Sequence, residues 1–138
     1  MKIAVSACLL GENCKYNGKN NYNEKVAALS SDNEIIPVCP EGLGGLPTPR
    51  DPSEIVDGKV KHKNGESVDD EFRKGANTAL DIVKKNHVEL VILQSRSPSC
   101  GINEVYDGTF SKRLIPGEGV FARLLRENNI RTVDVSDL

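Results

Sequence analysis

The sequence of 138 residues contains no tryptophan, and aromatic residues make up only 4% of it. Proteins that bind single-stranded nucleic acids stack the bases on aromatic side chains, so this scarcity argues against such a role. The sequence has no excess of positive charge either. It contains 18 lysines and arginines and 20 aspartates and glutamates, so its net charge is -2. We therefore expect neither a nucleic acid nor a membrane surface as partner, and a small molecule as substrate.

Long apolar segments are also missing. The N-terminal residues Met1 to Val5 lead directly into a strand and lack the apolar core and cleavage site of a signal peptide. We expect a cytoplasmic protein with one domain, residues 1–138, which is long enough to bury a core. Four cysteines in such a protein are more typical of free thiols, metal ligands or catalysts than of disulfides.

Hydrophobic periodicity predicts an alternation of strands and helices. Strands are predicted at 2–7, 34–38, 88–93 and 130–135, and helices at 24–30, 67–86 and 116–129. Turn signals at Asp57-Gly58 and at 106–110 predict two β-hairpins. Right-handed crossovers then give an α/β fold, a Rossmann-like doubly wound sheet of about four parallel strands with helices on both faces and small β-hairpin insertions.

Three cysteines follow three of the predicted strands: Cys8, Cys39 and Cys100. The carboxyl ends of parallel strands meet at one edge of a sheet, which is where open α/β sheets bind ligands. Cys100 lies in a tight turn, since Pro98 disfavours helix before it and Gly101 lets the backbone approach closely. We expect the three thiols to share one pocket.

Several kinds of site fit three converging thiols. Soft sulfur ligands favour zinc or an iron–sulfur cluster. The chain has no Cys-x-x-Cys pair, and His62 and His87 lie away from the predicted strand ends, which disfavours a zinc ribbon and a cysteine nucleophile with a histidine base. Three cysteines suit a four-iron–four-sulfur cluster with one open iron, whereas a fourth ligand, Cys14, would close the site.

The segment 40–52 contains three glycines and four prolines, and we predict that it has no regular structure. A linker would separate two cores, whereas this segment lies within one small domain and carries two leucines. We therefore interpret it as a loop that shapes the site.

Five blocks of the sequence recur in the same order in a known family. They are Ser6-Ala7-Cys8-Leu9-Leu10-Gly11, Cys14-Lys15-Tyr16-Asn17-Gly18, Cys39-Pro40-Glu41-Gly42-Leu43-Gly44-Gly45-Leu46-Pro47-Thr48-Pro49-Arg50, Ser97-Pro98-Ser99-Cys100-Gly101 and Tyr106-Asp107-Gly108-Thr109-Phe110. Together they resemble the signature blocks of the small bacterial family that includes the thiouracil desulfidases. Two positions depart from that pattern: Asn17 replaces a common aspartate, and Cys14 is a cysteine that the desulfidases do not need.

The resemblance implies a four-iron–four-sulfur cluster on Cys8, Cys39 and Cys100, with zinc as the alternative. Its open iron would bind the sulfur of a thiocarbonyl, water would attack the carbon, and sulfide would leave on the cluster with no net electron transfer. The substrate would be a thiolated nucleobase or a similar small thioamide. A rival interpretation is a non-catalytic iron–sulfur or zinc module that senses redox state or docks a partner.

Four further residues are assigned to the site. Glu41 follows Cys39 by two positions and is the candidate to deprotonate the water or protonate the leaving group. Ser99 is a second catalytic candidate, and Ser97 and Arg50 are candidates for substrate binding. The structural alternatives are that Glu41 is a solvated carboxylate of the loop, that the two serines stabilise the turn and that Arg50 anchors the proline-rich loop.

Overall fold

The computed structural model describes residues 1–138. The strands are β1 (Lys2–Ser6), β2 (Glu34–Val38), β3 (Ser53–Val56), β4 (Lys59–His62), β5 (Leu90–Leu93), β6 (Glu104–Tyr106), β7 (Leu114–Pro116) and β8 (Thr132–Asp134). The α-helices are α1 (Glu24–Ala28), α2 (Pro40–Leu43), α3 (Asp69–Lys85) and α4 (Val120–Glu127), with three short 3-10 segments besides. None of the helices has the length and apolar character needed to cross a membrane.

The central sheet has four parallel strands in the order β2-β1-β5-β8, which confirms the predicted α/β class. The chain adds β2 on one side of β1 and then returns past it to place β5 on the other side. The strand order therefore reverses between β1 and β5, and such a switch point creates a crevice at the carboxyl ends of the strands. Pro37, which has no N–H to donate, lies in the edge strand β2.

Both faces of the sheet are covered. Ile3, Val5 and Ile92 point to one face and pack with Val26 of α1. The alternate residues Ala4, Val91 and Leu93 point to the other face, where α3 and α4 cover them. This alternation follows from the two-residue period of a strand, and it anchors β1 and β5 from both sides.

The predicted start of the last helix is wrong. The last helix begins at Val120 and not at Pro116, because Leu114–Pro116 pairs with Glu104–Tyr106 as the second strand of a hairpin. The first N–H groups of α4 instead donate to carbonyls of the tight turn, Val120 to Pro98 O (2.8 Å) and Phe121 to Ser99 O (2.9 Å). The cysteine-bearing turn is thus joined to a helix whose Phe121 is fully buried.

The segment 40–52 is not entirely irregular, because Pro40–Leu43 forms the short helix α2. Pro40 is the first residue of that helix, where its missing N–H costs no hydrogen bond. The first hairpin is as predicted: Asp57 and Gly58 have φ values of 50° and 79°, the left-handed pair that a two-residue turn requires. The second hairpin is present, but its loop is longer than the predicted turn at 106–110 and runs over residues 107–113, because its second strand is Leu114–Pro116.

Helix α2 crosses α3 at two glycines, Gly44 and Gly75. A Cβ atom on Gly75 would lie 1.7 Å from Pro40 O, and one on Gly44 would lie 2.0 Å from Glu71 O. Only glycine allows the two backbones to approach so closely. The position of Cys39 and of α2 therefore depends on this contact.

We expect Gly75→Ala to destabilise the protein by at least about 2 kcal/mol, because the clash with backbone outweighs the gain of about 1 kcal/mol that alanine brings to a helix. Urea denaturation measures the free energy of unfolding, with Lys74→Ala in the exposed position next to it as the control. A Gly75→Ala protein as stable as the control would show that α2 is not held by this crossing.

Candidate metal centre

The carboxyl ends of β1, β2 and β5 open onto a cavity of about 360 Å³. All four cysteines of the chain line this cavity, and all four are free thiols. Parallel strand topology therefore brings together residues as far apart in the sequence as Cys8 and Cys100. Glu41, Arg50 and Ser97 line the same cavity.

Each of the three cysteines that follow strands is held by a different local structure. Cys8 is buried in the 3-10 turn Ala7–Leu10 directly after β1. Cys39 is the residue before α2, in extended conformation. Cys100 is buried in the turn after β5, and the Gly101 N–H donates to Ser97 O (2.9 Å) to close that turn.

Cys14 lies in the polar loop between the 3-10 turn and α1, lines the cavity with the other three cysteines, and packs against the buried cluster that contains Cys8. Its single S–H proton is shared with Cys8 and Cys39, which lowers the pKa of each of these two thiols to about 7, against the effect of burial. Sharing this proton raises the pKa of Cys14 above its usual range. Burial raises the pKa of Cys100. Cys8 and Cys39 are thus the thiols that ionise most readily, and the thiolate is the form that binds metals.

Groups besides the thiols surround the sulfur atoms. Asn21 Nδ2 donates to Cys8 Sγ (3.5 Å). The Ser6 hydroxyl lowers the pKa of Cys100, and the Gly42 N–H lowers that of Cys39. Ser6 also accepts the Gln94 N–H (3.0 Å), which ties the end of β1 to the end of β5. Sequence reasoning missed Ser6 and Asn21 as site residues. The position of Ser6 near the end of a predicted strand could have indicated a site residue. Asn21 lies in a loop, and no feature of the sequence there indicates a site residue.

Glu41 and Arg50 form a buried ion pair at the cavity wall. Arg50 donates to Glu41 Oε1 from Nη2 (2.9 Å) and from Nε (3.1 Å). The Arg50 side chain is 4% exposed and the Glu41 side chain is 16% exposed. Arg50 Nη2 also donates to Cys14 O, and Nη1 donates to Pro47 O and Thr48 Oγ1. The guanidinium is therefore surrounded by acceptors of the protein itself.

The two serines of the tight turn occupy different environments. Ser97 Oγ accepts the N–H groups of Ser99 and Cys100 at 3.0 and 3.1 Å, so it shapes the turn while lining the cavity. Ser99 is 2% exposed and is not part of the cavity wall; its hydroxyl donates to Glu41 Oε2 (3.1 Å). Ser99 thus reaches the cavity only through the carboxylate that it holds.

Neither histidine lines the cavity. His62 is buried, 8% exposed, beside Ser53 Oγ (2.8 Å), and His87 is exposed at the end of α3. No group of three or more histidine, cysteine, aspartate or glutamate side chains is arranged to hold a single metal ion.

Known proteins resemble the chain over almost its whole length. The uncharacterized protein YbbK of Bacillus subtilis (strain 168) is 38% identical over 146 residues, covering 99% of this chain and 97% of YbbK. Among solved structures, the [4Fe-4S]-dependent thiouracil desulfidase TudS matches with a TM-score of 0.94 and 37% identity, covering 99% of this chain and 92% of that one. Residues 3–137 match the 2-thiouracil desulfurase family. The resemblance predicted from the five sequence blocks is confirmed, and the chain belongs to the 2-thiouracil desulfurase family.

Proposed function

We propose that this protein is a [4Fe-4S]-dependent desulfidase that hydrolyses the thiocarbonyl group of thiouracil or a similar small thioamide. The observation that carries the proposal is the convergence of Cys8, Cys39 and Cys100 on one cavity beside Glu41. Membership of the 2-thiouracil desulfurase family and the likeness to TudS support it. A cavity of about 360 Å³ suits a ligand of the size of a pyrimidine base.

The residues present fit the cluster. Cys8, Cys39 and Cys100 would hold it, since soft thiolates are the usual ligands of iron–sulfur clusters. The likeness to the [4Fe-4S]-dependent TudS favours the cluster over zinc. When bound, the cluster supplies an iron atom that acts as a Lewis acid toward the thiocarbonyl sulfur.

Glu41 takes the proton of the attacking water. Its carboxylate is oriented by Arg50 on Oε1 and by Ser99 on Oε2, so that it faces the cavity in one conformation. Hydrolysis converts one thiocarbonyl and one water into one carbonyl and one sulfide, and Glu41 returns the proton to the departing sulfur. We assign Arg50 and Ser99 as positioning residues that act through Glu41, and Ser97 as the hydroxyl within the cavity that contacts substrate.

Four free thiols in one cavity are typical of a protein from a reducing compartment, which supports a cytoplasmic location.

The test uses protein purified and reconstituted with iron and sulfide without oxygen. We expect a brown protein that converts 2-thiouracil or 4-thiouracil to uracil, with sulfide and uracil formed in equal amounts and with no reductant added. Sulfide is measured colorimetrically and uracil by chromatography, and uracil itself serves as the control substrate. Iron-loaded protein that releases no sulfide from either compound would contradict the proposal.

The second candidate is a non-catalytic iron–sulfur module, and the presence of Cys14 in the same cavity as Cys8, Cys39 and Cys100 favours it. In that case Cys14 is a permanent fourth ligand and no iron is open to substrate. Such a protein would lose its cluster on replacement of Cys14, whereas the desulfidase keeps three ligands and its iron.

A further inference from the structure

On the basis of the desulfidase function above, we propose that Cys14 is a displaceable fourth ligand of the cluster. In the absence of substrate it binds the iron that Cys8, Cys39 and Cys100 leave open. The sulfur of the substrate then replaces it. Cys14 thereby becomes a residue that sets both the apparent affinity for substrate and the stability of the open iron.

The position of Cys14 supports this role. Cys14 lines the same cavity as the other three cysteines and packs against the buried cluster of side chains that contains Cys8. Cys8 and Cys39 follow neighbouring strands and would both hold the iron–sulfur cluster. A thiol that shares their cavity lies close to the inorganic centre that they would hold. A soft thiol so close to an open iron binds it when no better ligand is present.

Arg50, a residue of the cavity wall, holds the backbone around Cys14 in place. Arg50 Nη2 donates to Cys14 O (2.9 Å), and the Arg50 N–H donates to Tyr16 O (2.7 Å). The same guanidinium holds Glu41, so the loop and the carboxylate share one anchor. The Cys14 thiol is consequently presented to the cavity at a defined place.

The place of Cys14 in the fold nevertheless differs from those of the other three cysteines. Cys8 and Cys100 are buried in turns that continue strands of the sheet, and Cys39, which is half-buried, lies between β2 and α2. Cys14 is half-buried in a polar loop without regular structure, so its side chain belongs to no element of the sheet or its helices. This difference makes Cys14 the ligand that substrate displaces.

The exchange is balanced without any oxidant or reductant. Cys14 releases its thiol proton to solvent when the thiolate binds iron, and it takes up a proton when the substrate sulfur replaces it. Substrate therefore competes with Cys14, and its apparent dissociation constant is the intrinsic one divided by the fraction of sites that Cys14 leaves open.

The experiment compares reconstituted wild type, Cys14→Ser and Cys14→Ala under anaerobic conditions. Lys19→Ala, an exposed position of the same loop, is the control. Each protein is treated with ferricyanide, and loss of one iron per cluster is followed by iron analysis and by electron paramagnetic resonance. KM and kcat for thiouracil are measured in parallel.

We expect both Cys14 variants to retain the iron content of the wild type before oxidation and to lose one iron about tenfold faster. KM falls about tenfold with kcat unchanged, which corresponds to Cys14 occupying about nine-tenths of the open sites. Lys19→Ala behaves as the wild type.

Two outcomes overturn the proposal. Variants that lose iron at the wild-type rate, with unchanged KM, show that Cys14 does not bind the iron. Variants that bind no cluster at all show that Cys14 is a permanent ligand. Failure of the desulfidase function is a separate result, because it appears in the wild type as absent sulfide release.

Discussion

Replacing Cys100 with serine is expected to abolish both cluster binding and sulfide release. The substitution removes a soft thiolate and leaves a hydroxyl that binds iron poorly, while the side chain keeps nearly the same volume. After anaerobic reconstitution we expect iron to fall from about four atoms per chain to near zero, with loss of the brown colour. Iron analysis and the visible absorption spectrum measure this directly.

Cys14→Ser is the matched control for Cys100→Ser, because it makes the same chemical change in the same cavity and leaves three ligands in place. Cys100 is 4% exposed, so circular dichroism and thermal unfolding check that the serine variant still folds. A folded Cys100→Ser protein with full iron content would show that the strand-end cysteines are not the ligands.

Replacing Glu41 with glutamine is expected to lower kcat by about 10²- to 10⁴-fold, the usual contribution of a general acid–base group. Glutamine keeps the shape and a hydrogen-bond acceptor for Arg50 but takes up no proton. Iron content should stay at the wild-type level, because Glu41 is not a proposed ligand. Sulfide release at saturating thiouracil measures kcat.

The same substitution also removes the counter-charge of Arg50, whose side chain is 4% exposed. Leaving a buried charge without its partner costs about 3–5 kcal/mol of folding stability. The activity assays are therefore run at a temperature well below the melting temperature of the variant. Glu12→Gln makes the same change at an exposed position of the neighbouring loop and is the control. A kcat unchanged from the wild type in Glu41→Gln would exclude proton transfer by this carboxylate.

The elements that hold the thiols were predictable, because their causes are local. The continuous apolar run of Ile3, Ala4 and Val5, typical of a strand buried on both faces, and the long amphipathic run of α3 are properties of short stretches of sequence. Their order implied parallel strands and therefore one shared edge. The start of α4 was not predictable, since it depends on the carbonyls of Pro98 and Ser99, which lie more than twenty residues earlier.

The finer arrangement of the site likewise depends on contacts between distant segments. Nothing local indicates that Arg50 donates to Cys14 O, 36 residues away, or that Ser99 donates to Glu41 Oε2, 58 residues away. The burial of His62 is a similar case. The neighbouring lysines in the sequence suggest an exposed histidine, whereas in the fold the imidazole lies beside Ser53, its partner across the hairpin.

The sequence alone determined the family, the parallel sheet and the edge at which Cys8, Cys39 and Cys100 emerge, because periodicity and strand order are encoded along the chain. Only the tertiary structure decided that Cys14 reaches the same cavity, that Arg50 and Ser99 hold Glu41, and that Gly44 and Gly75 let α2 lie against α3. These are contacts between side chains and backbones far apart in sequence, and their geometry exists only once the chain has folded.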